Sequence, residues 1–252
     1  MKKTAFISIL SSSFIIFLFS FTLQSDFLSE QKKFSRVRTA ISEKETSLEK
    51  RLKENQISLG KINLILVAYK DNDLLDVYAK NKTESTYKKI FSYEVCARSG
   101  KLGPKRKQGD LQVPEGFYHL DRFNPTSSYY LSLGINYPNL ADKRKSKSPN
   151  LGGDIFIHGS CVTIGCLPMT DNLIKEIYVL AIHAKNNGQT KIPVYVFPFK
   201  MNDANMRSYK SSYGSNKELI SFWENLKIGY DQFISDPKEL KFQVEQNGDY
   251  KF

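Results

Sequence analysis

The sequence predicts an α+β, β-rich fold, in which a mixed β-sheet domain with packed helices is preceded by an N-terminal hydrophobic helix. Short runs rich in β-branched and aromatic residues, separated by turn residues, follow residue 60 and predict the strands. Two later stretches carry apolar residues at helical spacing. The length of 252 residues, 40% of them hydrophobic, suits one sizeable folded domain with additional terminal segments.

Residues 1–25 predict an export segment. They begin with Met1-Lys2-Lys3 and continue as an apolar run close to the roughly 20 residues that a helix needs to cross a bilayer. No Ala-x-Ala cleavage site follows, which favours an uncleaved anchor over a signal peptide, and a buried core helix is the third interpretation. We therefore expect a periplasmic or otherwise extracytoplasmic protein, either secreted or anchored to the inner membrane.

The remaining chain divides into three predicted parts. Residues 26–60 are rich in Lys, Arg and Glu with scattered apolar residues, which is typical of an exposed, charged helical stalk. Residues 61–235 form the predicted catalytic domain, and residues 236–252 a C-terminal tail. Strands are expected at 62–69, 74–78, 90–96, 116–120, 129–133, 155–158 and 192–197, with a hairpin turn at 71–73.

Two helices are predicted within the catalytic domain. The first spans 171–187, where Thr170 or Asp171 can cap the start and Gly188 can end it. The second spans 217–227, and its apolar side chains could pack back onto the sheet.

The charge and the cysteines limit the function classes. Lys and Arg number 37 against 26 Asp and Glu, which gives a net charge of +11 and points to an acidic partner such as a nucleic acid, a membrane surface or a wall polymer. Export and the absence of an aromatic-interleaved basic platform argue against nucleic acid. Three cysteines exclude a disulfide-rich mini-scaffold and leave at least one thiol unpaired within the chain.

The chemistry is concentrated between residues 152 and 171. His158 ends an apolar strand, and Cys166 follows Gly165 in a turn before a helix, so both side chains could enter one cleft. A nearby imidazole can lower the pKa of a thiol and shuttle its proton. Glycine at position 165 would let a carbonyl approach backbone N–H groups that hold an oxyanion. The pattern predicts acyl transfer without a cofactor or metal.

Two structural interpretations compete with a catalytic dyad of His158 and Cys166. Cys161 and Cys166 could form a disulfide in an oxidising compartment. His158, Cys161, Cys166 and His183 could instead bind zinc, although their spacing lacks paired CxxC motifs. Apart from these, we expect Cys161 to be a free, buried cysteine that packs as a small hydrophobic residue, and Cys96 to be structural.

Several motifs in one order resemble the L,D-transpeptidase (YkuD-type) family, particularly its YafK-like branch. Residues 158–166 read His-Gly-x-Cys-x-Thr-x-Gly-Cys, which is similar to the active-site signature of that family. Residues 109–118 resemble its Gly-Asp-x-x-Thr-Pro-Glu-Gly-x-Tyr segment, with Val113 in place of threonine. Similar segments occur at 130–133, 137–139 and 197–206, so the resemblance covers roughly residues 61–233.

The resemblance implies an attack on the meso-diaminopimelate carbonyl of a peptidoglycan stem peptide. Cys166 would be the nucleophile, His158 the general base and acid, and Gly159 the carbonyl that orients the imidazole. Gly165 and the Cys166 amide would contribute to the oxyanion hole. Candidates for substrate binding are Tyr118, Tyr130 and Arg144.

One departure from the family concerns recognition of the substrate carboxylate. Leu167 occupies the position at which many members of the family carry a basic or small hydrophobic residue followed by Arg. Cations from 105–107 or 143–145 could replace the missing guanidinium.

The identity of the second nucleophile separates the candidate functions. An amine would make the enzyme a transpeptidase, and water would make it an amidase or peptidase that releases a wall-linked lipoprotein. A non-catalytic, membrane-tethered wall-binding protein is the alternative from another class, and it predicts the Cys161–Cys166 disulfide.

Overall fold

The computed structural model describes residues 26–252, so the predicted export segment at 1–25 lies outside the described residues. The helices are α1 (Phe27–Lys32), α2 (Ser35–Lys53), α3 (Leu140–Lys145), α4 (Asp171–Asn186), α5 (Asp203–Tyr213) and α6 (Lys217–Ser235). The strands are β1 (Ile62–Tyr69), β2 (Leu74–Asn81), β3 (Lys88–Glu94), β4 (Gly116–Asn124), β5 (Ser132–Ile135), β6 (Phe156–His158), β7 (Leu167–Pro168), β8 (Pro193–Phe197), β9 (Gln243–Val244) and β10 (Tyr250–Lys251). Between residues 26 and 252, no helix is both long and apolar enough to span a bilayer.

Eight of these strands form one mixed sheet in the order β3-β2-β1-β8-β4-β5-β6-β7. The β1–β8 and β6–β7 pairs are parallel and the other pairs are antiparallel. The predicted α+β, β-rich mixed sheet with packed helices is therefore confirmed. The hairpin between β1 and β2 is also confirmed, and Asp73 at its turn takes the left-handed conformation with φ of 50°.

Helices cover both faces of the sheet, and strand β1 is therefore buried on both sides. Leu64 and Leu66 belong to the core cluster that includes α2 and α4, whereas Ile65 and Val67 belong to the cluster that includes α6. This alternation follows the two-residue period of a strand. Trp223 of α6 is fully buried, which confirms that this helix packs back onto the sheet.

The segment before the sheet differs from the sequence prediction. Residues 35–53 are helical as expected, but Val37, Ala40, Leu48 and Leu52 are all fully buried in the core cluster that contains α4. The expectation of an exposed stalk is wrong for this helix because its few apolar residues share one stripe. The Arg51 guanidinium adds a 2.8 Å bond to Glu176 of α4.

The C-terminal tail also packs on the sheet. Strands β9 and β10 form a small antiparallel pair. The rings of Tyr250 and Phe252 lie 4.8 Å and 5.4 Å from the ring of Phe117 on β4. This aromatic packing ties residues 243–252 to the centre of the sheet.

The sheet curls until its two ends meet. The N–H of Cys96, just after β3, donates to the carbonyl of Pro168 in β7 at 3.0 Å, although β3 and β7 are the outermost strands of the order. A disulfide joins Cys96 to Cys161 at the same place, across 65 residues of chain. We call this junction, made by residues 95–98, 161 and 166–168, the seam.

Candidate active site

Strands β6 and β7 bring His158 and Cys166 to the same end of the sheet. His158 pairs in parallel register with Pro168, and Cys166 lies two positions before Pro168. Cys166 itself lies in the bend just before β7, and its sulfur accepts the N–H of Phe156, two residues before His158 in β6. The sequence predicted that both side chains enter one cleft; Cys166 lines the cleft at this end of the sheet, and His158 does not line it.

A short bond to the backbone orients the imidazole. The Nδ1 of His158 lies 2.5 Å from the carbonyl oxygen of Gly159. Since a carbonyl can only accept, Nδ1 carries the proton and Nε2 is left with the basic lone pair. The Tyr129 ring packs 4.6 Å from the imidazole. Sequence reasoning proposed Tyr130 and missed Tyr129, its neighbour, which contacts the histidine.

Glycine is required beside the histidine by close packing. A Cβ at position 159 would lie 2.6 Å from Asp171 Oδ1 and 2.8 Å from the Tyr129 carbonyl. Asp171 begins α4 and its Oδ1 accepts the N–H of Ser160 at 2.9 Å. The turn after β6 is thus held against the start of α4.

Burial keeps His158 neutral. The residue is only 2% exposed, and this burial lowers the pKa of the imidazole. The hydrogen bond to Gly159 acts in the opposite direction and raises the pKa, but its effect is smaller. A neutral imidazole at neutral pH is in the form that accepts a proton.

The Cys166 thiol is half-buried and free. Its sulfur accepts the N–H of Phe156 at 3.4 Å and donates to the carbonyl of Asp154 at 3.6 Å. Burial raises the pKa of the thiol, the Phe156 N–H lowers it, and the charge of Asp154 raises it further. Within residues 26–252, His158 is not among the hydrogen-bond partners of this sulfur. The expected lowering of the thiol pKa is therefore wrong for this state, in which thiol and imidazole are both neutral.

Thr163 organises the turn that carries the thiol. Its hydroxyl accepts the N–H of Gly165 at 3.1 Å and of Cys166 at 2.8 Å, and it donates to the Cys166 carbonyl at 2.9 Å. These three bonds use the full capacity of a hydroxyl. The two amides expected to form the oxyanion hole are thus bound to Thr163 here. Sequence reasoning included this threonine in the motif without assigning it a role.

Gly165 itself needs glycine for conformation and space. It adopts φ of 139°, in the region that L side chains rarely enter, and a Cβ would lie 3.1 Å from the Gln112 carbonyl. The close approach positions the turn against the segment that precedes β4.

A cleft of about 260 Å³ opens beside Cys166 along the seam. The residues that line it include Tyr69, Asp73, Arg98 and Leu167. His158 does not line this cleft. Cys166 lines the cleft and can therefore be approached from it.

The predicted substrate-binding residues lie elsewhere. Tyr118 is buried, and its hydroxyl donates to Asp142 Oδ2 at 3.0 Å. Arg144 donates to the carbonyls of Val244 and Glu245, so it holds the C-terminal strands. Neither residue lines the cleft, and internal hydrogen bonds occupy the polar groups of both. These two predictions are corrected accordingly.

Tyr130 is placed differently. Its ring is half-buried, with the Arg36 guanidinium 5.6 Å and the Lys175 ammonium 5.3 Å from its centre. It does not line the cleft beside Cys166.

Among the cations expected to replace the missing arginine, Lys105 and Arg106 are also occupied. Lys105 is buried and bonds Asp110 at 2.7 Å, and Arg106 bonds Asp142 at 3.0 Å. The cleft itself is lined by three other cations, Lys70, Lys101 and Arg98. Sequence reasoning missed Arg98. Its position two residues after Cys96 gave no signal, because the pairing of Cys96 could not be read from the sequence.

The disulfide settles the alternatives for the cysteines. Cys161 is bonded to Cys96, so a Cys161–Cys166 bridge is wrong, and so is the expectation that Cys161 is a free buried residue, since it lies exposed. The zinc site is also wrong, because the Cys161 sulfur is used and His183 lies against Glu45.

Comparisons with known proteins agree on one family. The L,D-transpeptidase catalytic domain (YkuD) matches residues 62–196, which include His158 and Cys166. "Putative L,D-transpeptidase YafK" of Escherichia coli strain K12 is 41% identical over 184 residues, covering 72% of this chain and 70% of that protein.

Two solved structures are also similar. The helical cell shape determining protein Pgp2 from Campylobacter jejuni is 22% identical, with a TM-score of 0.43 and coverage of 73% of each chain. Bd1075 from Bdellovibrio bacteriovorus is 24% identical, with a TM-score of 0.40 and coverage of 68% of this chain and 61% of that one. On the family match and the 41% identity to YafK, the chain belongs to the L,D-transpeptidase catalytic domain family.

Proposed function

We propose that this protein is an extracytoplasmic cysteine acyl-transfer enzyme that acts on the meso-diaminopimelate carbonyl of peptidoglycan stem peptides. The observation that carries the proposal is the free Cys166 thiol at an open cleft, with the neutral His158 imidazole at the end of the adjacent strand β6. Membership of a catalytic-domain family that matches both positions supports it. Residues 61–235 are the proposed catalytic domain.

The neutral dyad favours general-base catalysis over a preformed thiolate. In the first step, the Cys166 proton moves to Nε2 of His158 as the sulfur attacks the carbonyl carbon. The tetrahedral intermediate then collapses, and the imidazolium gives the proton to the departing amine. A thioester between Cys166 and the diaminopimelate acyl group remains. The carbonyl of Gly159 holds Nδ1–H and stabilises the imidazolium during both transfers.

The amides of Gly165 and Cys166 are the proposed oxyanion donors. Because both now donate to Thr163, the oxyanion would replace the threonine hydroxyl as their acceptor. A charged acceptor forms stronger bonds than a neutral hydroxyl, which favours the exchange as negative charge develops.

The thioester is resolved by a second nucleophile that His158 deprotonates. An amine of another stem peptide or of a lipoprotein lysine gives a new amide bond, and water gives a free carboxylate. When the amide attacked in the first step joins a lipoprotein lysine to the wall, that lysine is the departing amine, and hydrolysis of the thioester completes the release of the lipoprotein. Both outcomes return the thiol, so the acceptor distinguishes a transpeptidase from an amidase. The non-catalytic wall-binding alternative is disfavoured because it required the bridge that Cys161 makes with Cys96 instead.

An extracytoplasmic location is supported by the Cys96–Cys161 disulfide, since such bonds persist in oxidising compartments. Residues 1–25 would act as the export signal or inner-membrane anchor. The excess of positive charge suits an anionic envelope surface.

The test incubates the full-length chain, solubilised in mild detergent, with defined tetrapeptide muropeptides and with lipoprotein-linked muropeptides. We expect an acyl adduct on Cys166 by mass spectrometry, together with either new cross-links or shortened products. The matched control is Cys166→Ser, which keeps the shape of the side chain and lacks the thiol. Undiminished turnover in that variant, or products from the wild-type chain without an adduct on this residue, would contradict the mechanism.

A further inference from the structure

The cleft beside Cys166 carries charged groups of both signs that the mechanism does not use. Arg98 and Lys101 supply positive charge, and Asp71 and Asp73 supply negative charge. Lys70 also lines the cleft, but its ammonium is buried and uses its three donors on Gly103, Val113 and Glu115. The accessible charges of the cleft are therefore balanced.

Arg98 is held in place and still has donors to offer. Its Nε bonds Asp73 Oδ1, and its Nη2 donates to the Asp71 carbonyl at 2.9 Å. Its Nη1 lies 3.6 Å from Asp71 Oδ1, which is an ion-pair distance and not a hydrogen bond. Because the side chain is 54% exposed and a guanidinium has five N–H groups, Nη1 can reach a bound carboxylate.

Two neighbouring groups add to this donor set. The Ser99 hydroxyl is buried and has no hydrogen-bond partner within the described part of the chain, although Ser99 lines the cleft. Lys101, also at the cleft, is exposed. A buried hydroxyl without a partner is costly, so a ligand that bonds it gains stability. Arg98, Ser99 and Lys101 are consecutive or nearly so, and they follow the disulfide-bonded Cys96.

We propose that Arg98 and Asp73 form a subsite for a zwitterionic amino-acid head, in which Arg98 binds the carboxylate and Asp73 binds the ammonium. A cleft with only cations would bind any carboxylate, whereas adjacent charges of both signs select a group that carries both. The apolar part of the wall, formed by Tyr69, Val95 and Leu167, suits the methylene chain between such a head and the carbonyl at Cys166.

The inference rests on the proposed function for the identity of the ligand. The acyl half of meso-diaminopimelate keeps a free ammonium and a free carboxylate on its distal carbon after the proximal carbonyl has reacted. Arg98 and Asp73 would hold that distal centre while Cys166 attacks the proximal one. The seam connects the proposed subsite to the nucleophile. Its disulfide joins Cys161, in the loop that leads to Cys166, to Cys96, two positions before Arg98.

The test measures binding separately from turnover. Full-length chain in mild detergent, carrying Cys166→Ala so that no reaction occurs, is titrated calorimetrically with three disaccharide tetrapeptides. The first carries unmodified meso-diaminopimelate, the second has its distal carboxylate amidated, and the third has its distal amine acetylated. We expect the unmodified peptide to bind about tenfold to a hundredfold more tightly than either analogue, as charge-assisted hydrogen bonds require.

Substitutions then assign each half of the subsite. Arg98→Ala should abolish the preference over the amidated peptide, and Arg98→Lys should restore part of it. Asp73→Asn should abolish the preference over the acetylated peptide, and asparagine tolerates the left-handed backbone at this position. The matched control is Arg38→Ala on α2, whose guanidinium bonds two α1-end carbonyls and should leave all three affinities unchanged.

Equal affinities for the three peptides would overturn the inference, as would an Arg98→Ala variant that weakens all three by the same factor. A purely structural ion pair would produce the second pattern. The proposed function is judged on the unmutated chain, by adduct formation on Cys166. If the chain prefers the unmodified peptide but forms no adduct on Cys166, the proposed function is refuted and the subsite stands. If the adduct forms but the three peptides bind equally, the proposed function stands and the subsite is refuted.

Discussion

Removal of the Cys96–Cys161 disulfide should destabilise the protein substantially. The bond closes 65 residues of chain, and the corresponding loss of chain entropy in the unfolded state amounts to about 4 kcal/mol at 25 °C. We therefore expect the double variant Cys96→Ala/Cys161→Ala to have a free energy of unfolding lower by about 2 to 4 kcal/mol. The slope of unfolding against urea should rise, because the unfolded chain expands without the cross-link.

The chain contains its own reporter for this experiment. Trp223 is the single tryptophan, is fully buried, and donates its indole N–H to Glu115 at 2.9 Å. Urea unfolding of the full-length chain in mild detergent, followed by tryptophan fluorescence, gives the midpoint and slope. Peptide mapping without reductant first confirms the pairing in the unmutated chain.

Cys166→Ala is the matched control because it removes a cysteine from the same seam without removing a cross-link. Its free energy of unfolding should change by less than about 1 kcal/mol, as expected for a half-buried thiol. A loss below about 1 kcal/mol in the double variant would refute the reasoning. The seam would then be closed by the bond from Cys96 N–H to the Pro168 carbonyl and by packing alone.

The other predictions concern the turn and the dyad. Gly159→Ala should destabilise the chain by about 1 to 3 kcal/mol in urea unfolding, since its Cβ would lie 2.6 Å from Asp171 Oδ1; an unchanged midpoint would contradict this. Thr163→Val should cost about 1 to 3 kcal/mol because two amides lose their acceptor, whereas Thr163→Ser should cost little. Alkylation of Cys166 by iodoacetamide should still accelerate above pH 9, since burial raises the thiol pKa, and a plateau near pH 6 would contradict it. Turnover should fall only below about pH 6.5, because burial lowers the pKa of His158 and the base stays neutral above that value.

Local patterns predicted the elements that depend on neighbouring residues. The apolar run at 62–69 gave β1 with its observed bounds, and the turn at 71–73 gave the hairpin, because an apolar run and a turn are both set within a few residues. Thr170 caps α4 as expected, with its side chain accepting the N–H of Leu173. The local settings of His158 at a strand end and of Cys166 in a glycine turn were also predicted, because both are local features.

Features that depend on long-range pairing were missed. Cys96 meets Cys161 only because the eight strands curl until the ends of the sheet touch, and no pattern in the sequence specifies that closure. Arg98 was missed for the same reason, since its place in the cleft depends on the seam. The exposed stalk was predicted from average composition, but four apolar residues of α2 on one stripe were sufficient to pack that face of the helix against the core.

Tyr118 shows a different limit of sequence reasoning. Its motif resembles a segment of the family, but position within a motif does not distinguish a residue that contacts substrate from one that holds the fold. The bond of its hydroxyl to the buried Asp142 gives it a structural task, and burial of that carboxyl raises the pKa of Asp142 to about 6. The two roles are separated by the hydrogen-bond partner of the tyrosine hydroxyl, which is known only from the structure.

The position of Cys166, the proposed nucleophile, explains why the seam matters for the proposed chemistry. Cys166 directly precedes β7, a strand of two residues at the end of the sheet order, so strand pairing alone fixes it weakly. Thr163 holds the turn on one side, and the disulfide anchors its loop on the other. An edge position leaves the thiol accessible from the cleft, and the local bonds supply the rigidity that a short strand lacks. The closure of the sheet therefore both exposes the nucleophile and brings Arg98 within the same cleft.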